Sequence, residues 1–83
     1  MLSLEDNNIG PKGISILVKQ SYRYLEWLDL SHNPLRNEGV KLVSKGDWPR
    51  LLRLILRDVR MTKHSLKYLR KLAEKSEVFV SLS

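Results

Sequence analysis

The sequence predicts an α/β solenoid, a stack of short strands and helices in register, and three observations predict it. First, the chain lies over itself at a shift of 26 residues without a gap: Leu25, Leu28, Leu30, Asn33 and Leu35 recur as Leu51, Leu54, Leu56, Val59 and Met61. The opposite shift reaches Leu2, Leu4, Asn7 and Ile9, and a further one lands on Val80 and Leu82. A fixed period of this size marks a solenoid, because each unit buries its apolar face only against its neighbours. Second, apolar residues in each unit alternate at period two and then recur at helical spacing. Third, Gly13 recurs as Gly39 at the same shift, in the helical half of each unit.

The middle unit shows how each element arises. Across Trp27-Leu28-Asp29-Leu30-Ser31 the alternation predicts a short strand with Leu28 and Leu30 inward and Trp27, Asp29 and Ser31 outward. Asn33-Pro34 ends that strand, since proline cannot donate to a ladder. Asn37-Glu38-Gly39 is expected to open a helix with Asn37 as its N-cap, and Val40 and Val43 to form its inner face. Gly46 is expected at the C′ position that stops it. Asp47-Trp48-Pro49 then returns the chain to Leu51.

The flanking units repeat these choices. Ile14 and Leu17, and Leu66 and Leu69, match Val40 and Val43. Pro11 suits the first turn of the first helix, and Thr62 can cap the third, which reads on through Leu72 and Ala73. The expected domain is a single one over residues 1–83. Its units span about 1–24, 25–50 and 51–76, followed by a closing strand at 78–82 that carries Glu77 in place of Leu25 and Leu51. Helices are wider than strands, so the stack should curve with its parallel sheet on the concave side, as a short horseshoe arc.

Leu25-x-x-Leu28-x-Leu30-x-x-Asn33-x-Leu35 resembles the leucine-rich repeat consensus. The helical half, with Gly39 and the Val40/Val43 pair, is similar to the ribonuclease-inhibitor-like class of cytosolic leucine-rich repeats. That resemblance implies a right-handed α/β superhelix that binds partners on its concave sheet. It also implies a consensus Asn whose amide hydrogen-bonds neighbouring turns. Asn7 and Asn33 match that position, but Val59 does not, so backbone groups there must find other partners.

Composition narrows the function. The 83 residues hold no cysteine, so no disulfide contributes, and a chain this short buries about 60–65% of its unfolded surface. Zero cysteines and an N-terminus that starts in the repeat, with no signal peptide, favour a cytoplasmic location. Apolar runs are too short to span a membrane. Fifteen Lys and Arg against nine Asp and Glu give a net charge of +6, with the excess in the second half. There Arg50, Arg53, Arg57, Arg60, Lys63, Lys67, Arg70 and Lys71 face only Asp58.

Catalytic and metal-binding patterns are thin. His32 and His64 are the only histidines, and Ser31-His32 are adjacent on a strand end, which points their side chains apart and defeats a nucleophile–base pair. Glu5-Asp6-Asn7-Asn8 lacks the bidentate Glu and glycine spacing of a calcium loop. Gly10 and Gly13 belong to a turn and a helix rather than a phosphate loop. The expectation is a non-enzymatic protein without metal or cofactor.

The outward strand positions follow from the repeat shift: Met1, Trp27, Arg53, Phe79; then Ser3, Asp29, Ile55, Ser81; then Glu5, Ser31, Arg57, Ser83. Aromatic, Arg and apolar groups together make typical interface anchors. The candidate partner-binding set is Trp27, Asp29, Ser31, Arg53, Ile55, Arg57 and Phe79, with Arg53 placed to stack on Trp27. Tyr22 and Trp48 are expected to plug the helix-to-strand edge of the core. The favoured function is a protein-interaction module, expected to be a segment of a longer repeat protein. The alternative is anion or nucleic-acid binding through Arg50–Lys71, but those cations spread over several faces. Bare apolar faces at both ends of the stack make self-association a further expectation.

Overall fold

In the computed structural model, which describes residues 1–20 and 22–82, strands and helices alternate along the chain. They are β1 (Leu2–Ser3), α1 (Pro11–Leu17), β2 (Trp27–Asp29), α2 (Arg36–Ser44), β3 (Arg53–Ile55), α3 (Leu66–Ser76) and β4 (Phe79–Ser81). The strands form one parallel sheet in chain order. Their register follows the sequence repeat: Leu28 pairs with Leu2 on one side and Leu54 on the other, and Leu54 pairs with Val80. The ladder continues past the strand ends, where Asp6 and His32 N–H donate to the Ser31 and Arg57 carbonyls at 3.0 and 2.8 Å. The result is an α/β repeat fold. Among the described residues no helix is long and apolar enough to cross a membrane.

The inward alternation holds. Leu28, Leu30, Leu54 and Leu56 are buried and share one core with Ile14, Val40, Val43, Leu69 and Leu72 of the helices, which pack α1 on α2 and α2 on α3. Pro11 opens α1 as expected. Trp48 seals the return loop: its indole N–H donates to the Val43 carbonyl at 2.9 Å, and Tyr22 stacks on it at 5.8 Å between ring centroids.

Asn33 staples the first turn to the second. Its Oδ1 accepts the Asn7 and Ile9 N–H groups at 2.8 and 2.9 Å. Its Nδ2 donates to the carbonyls of Leu4 at 2.8 Å, Leu30 at 3.0 Å and Ser31 at 3.2 Å. One turn further on, buried Val59 offers no amide. The backbone there compensates: Leu35 N–H finds the Asn33 carbonyl at 2.8 Å, and Arg36 N–H finds the Val59 carbonyl at 2.9 Å. Pro34 matters too. Asp6, His32 and Asp58 all take left-handed backbone, as do Asn8 and Arg60. Pro34 stands at the position equivalent to Asn8 and Arg60 but has its φ fixed near −65°. The second left-handed residue of that turn is therefore Arg36 (φ 60).

Several expectations are corrected. Asn37 does not cap its own helix, because α2 already starts at Arg36 with Leu35 as N-cap. Its amide reaches across instead. Oδ1 accepts Thr62 N–H at 2.9 Å and the Ser65 hydroxyl, and Nδ2 donates to Thr62 Oγ1 at 2.9 Å. Thr62 does cap the next element, accepting His64 N–H at 3.3 Å. Gly46 is not left-handed, since no glycine among the described residues has positive φ. Glycine fits there because a Cβ would lie 2.6 Å from the Trp48 Nε1. Leu66 matches Val40 in sequence, yet it is 37% exposed whereas Ile14 and Val40 are fully buried. The neighbouring helix covers Ile14 and Val40, while α3 has no described helix beyond it. A 3₁₀ turn over Lys63–Ser65 leads into α3 and turns Ser65 into the core. At the far end Glu77 stops α3 in left-handed geometry, its N–H on the Ala73 carbonyl at 2.9 Å, and Val78 enters the core beside it.

Candidate partner-binding face

The sheet register assembles the outward row from three separate strands. Trp27 pairs with Arg53 and Arg53 with Phe79. Neighbouring strands lie about 4.8 Å apart, so three outward side chains at one level must touch or splay. Here they touch. The Arg53 guanidinium carbon lies 4.7 Å from the Trp27 ring centre and 4.9 Å from that of Phe79. Arg53 is thereby held between two aromatic rings and half-buried by them, while Trp27 stays 39% and Phe79 60% exposed. Each such contact contributes roughly 0.5–1 kcal/mol when solvated, and immobilising the guanidinium in advance lowers the entropic cost of using it in recognition.

The other expected site residues divide. Asp29 is half-buried and its carboxylate accepts Ser31 N–H at 2.9 Å, which orients it at the end of β2. Ser31 is not outward. It is 1% exposed, and its hydroxyl accepts Arg57 N–H at 3.0 Å. The strand ends at Asp29, so the alternation that placed Ser31 outward no longer applies two residues later. Ile55 does lie on the outward row yet is only 7% exposed and stands apart from the main core, a covered spot beside the aromatic–Arg row. Arg57 is exposed beyond the end of β3. Ser83 lies outside the described residues.

A second cluster at the strand ends was legible in the repeat shift but not singled out. Asp6, His32 and Asp58 stack as successive left-handed residues. His32 Nδ1 lies 3.2 Å from Asp58 Oδ2 and Nε2 lies 3.6 Å from Glu5 Oε2, all three side chains well exposed. Asp6, His32 and Asp58 border an open crevice of about 390 Å³ that also meets Arg36 and Arg60. Its charges are balanced and solvated. Among the described residues no group of three or more His, Cys, Asp or Glu is arranged to hold a metal ion. The cations of the second half lie apart as well. Arg53 is in the aromatic row, Arg50 lies over the Tyr24 ring at 5.7 Å, Arg60 borders the crevice, and Lys67 and Arg70 are on α3.

A family model described as Leucine Rich repeat matches residues 2–18 and 23–44. This chain is a leucine-rich repeat protein. The first two strands, the Asn33 staple and the first two helices fall within the matched segments. The leucine-rich repeat register then continues past residue 44, as β3 and β4 pair at the same offset as β1 and β2. No curated protein matches the chain. Leucine-rich repeat domains generally mediate protein–protein interaction and are typically non-enzymatic.

Proposed function

We propose that this leucine-rich repeat is a protein-interaction module that binds a partner protein through the outward face of its parallel sheet. The observation that carries this reading is the Trp27–Arg53–Phe79 stack. Two exposed aromatic rings and a pre-ordered guanidinium on rigid strands have the composition and rigidity of interface anchors. Asp29 and Arg57 flank the row and supply polar contacts at its rim, and Ile55 fills the space between. Membership of the cytosolic ribonuclease-inhibitor-like class and a cytoplasmic location belong to the same proposal, the latter resting on the absence of cysteine.

The test is photo-crosslinking in native lysate with a photoreactive phenylalanine analogue replacing Phe79, and the same group at Lys67 on α3 as control. The proposal expects a discrete protein captured from position 79, not from 67, and lost when Trp27→Ala is added. Equal capture at both positions, or capture of nucleic acid, overturns it.

A further inference from the structure

On the opposite, helical side of the molecule, α2 and α3 enclose a groove of about 370 Å³ lined by Lys41, Lys45, Tyr68, Lys71, Leu72 and Lys75. Lys41 and Lys45 are one turn apart on one wall, and Lys71 and Lys75 are one turn apart on the other. No Asp or Glu lines it among the described residues, and no salt bridge there engages any of the four lysines. Buried Leu72 and half-buried Tyr68 form the floor. Lys41 and Lys67 already hold their ammonium groups 5.8 and 5.2 Å from the Tyr68 ring centre. Four like charges converging on a concave strip repel one another, a cost that an anionic occupant relieves.

We propose that this groove docks an acidic peptide segment of a partner protein in extended conformation. The spacing fits. Lysines four apart on a helix are separated by about 6 Å along its axis. Alternate residues of an extended strand are separated by about 6.6 Å. A run of Asp or Glu laid along the groove therefore sends successive carboxylates alternately to the α2 and α3 lysines, with its backbone over Tyr68 and Leu72. Other anions fit less well. A nucleic-acid duplex is too wide for a cleft between adjacent helices, whose axes lie about 8–10 Å apart. A single strand needs a series of open aromatic platforms. Here there is one ring, Tyr68, and the ammonium groups of Lys41 and Lys67 already lie near it. A membrane surface requires apolar side chains projecting beyond the cations, whereas the apolar residue here, Leu72, is sunk beneath them.

The test is fluorescence anisotropy with a short labelled peptide carrying a central run of glutamates, set beside a labelled oligothymidylate of equal net charge. The expected result is saturable peptide binding at low salt that weakens about tenfold in Lys45→Glu/Lys71→Glu. Lys45→Gln/Lys71→Gln should show a smaller loss in the same direction. Arg23→Glu/Arg70→Glu removes the same net charge away from the groove and should change affinity less than about twofold. Equal losses in the two charge-reversal variants, tighter binding of the oligonucleotide, or no peptide binding by the unaltered protein each overturn the proposal. Far-ultraviolet circular dichroism confirms that each variant compared is folded.

Discussion

Replacing Asn33 by Ala tests the load carried by the staple between the first two turns. The amide accepts two backbone N–H groups and donates to three carbonyls, of which Leu30 and Ser31, adjacent in sequence, share one of its two hydrogens. Four effective bonds at about 1 kcal/mol each set an upper figure of about 4 kcal/mol. Asn7 is exposed, so water recovers part of what its N–H loses, and the expected cost is about 3 kcal/mol. At roughly 0.05–0.15 kcal/mol per residue the whole chain holds about 4–12 kcal/mol, so this single side chain carries a large share. In urea unfolding followed by tryptophan fluorescence, the midpoint should fall by about 2–3 M, given a slope near 1–1.5 kcal/mol/M for a chain of this size. Amide exchange should localise the loss, with Asn7 and Ile9 exchanging faster before the amides of β3. A cost below about 0.5 kcal/mol, or unchanged exchange at Ile9, would refute the reasoning.

Three further outcomes follow from the packing. Gly46→Ala puts a methyl 2.6 Å from the Trp48 indole nitrogen and should break its bond to Val43. A loss of about 1–3 kcal/mol is expected, with red-shifted tryptophan emission. Leu69→Ala and Leu66→Ala remove the same atoms from one helix. Buried Leu69 should cost about 2–5 kcal/mol and exposed Leu66 under about 1 kcal/mol in chemical denaturation; equal costs would place both against the same core. Asn37→Ala should cost about 1 kcal/mol by thermal melting, and deprotect the amide of Thr62 rather than those of its own helix, because the side chain serves the next unit.

How much of this was legible in the sequence can be judged residue by residue. Leu28, Leu30, Leu54 and Leu56 were placed by alternation alone, and the strand register by the repeat shift, because a period of two and a period of 26 leave no other phase that buries them together. Pro11, Thr62 and Trp48 followed from chemistry local to each residue. The Arg53–Trp27 contact was readable for the same reason, since neighbours on paired strands follow from register.

Features set by distance and by neighbours were not readable in this way. Ser31 lies beyond the end of a three-residue strand, and no pattern says where such a strand stops. Leu66 and Val40 occupy equivalent positions and have opposite environments, because burial depends on whether another helix lies alongside. Asn37 looked like a cap for its own helix and proved to hold the following one. The lysine groove joins residues from two helices, and nothing in either segment alone makes Lys45 and Lys71 walls of one cleft. The sequence by itself determined what repeats, since periodicity is a one-dimensional property carried by side-chain volume and turn chemistry. Only the tertiary structure decided which repeated side chains are covered and which converge, because solvent exposure and charge proximity depend on elements brought together from different units.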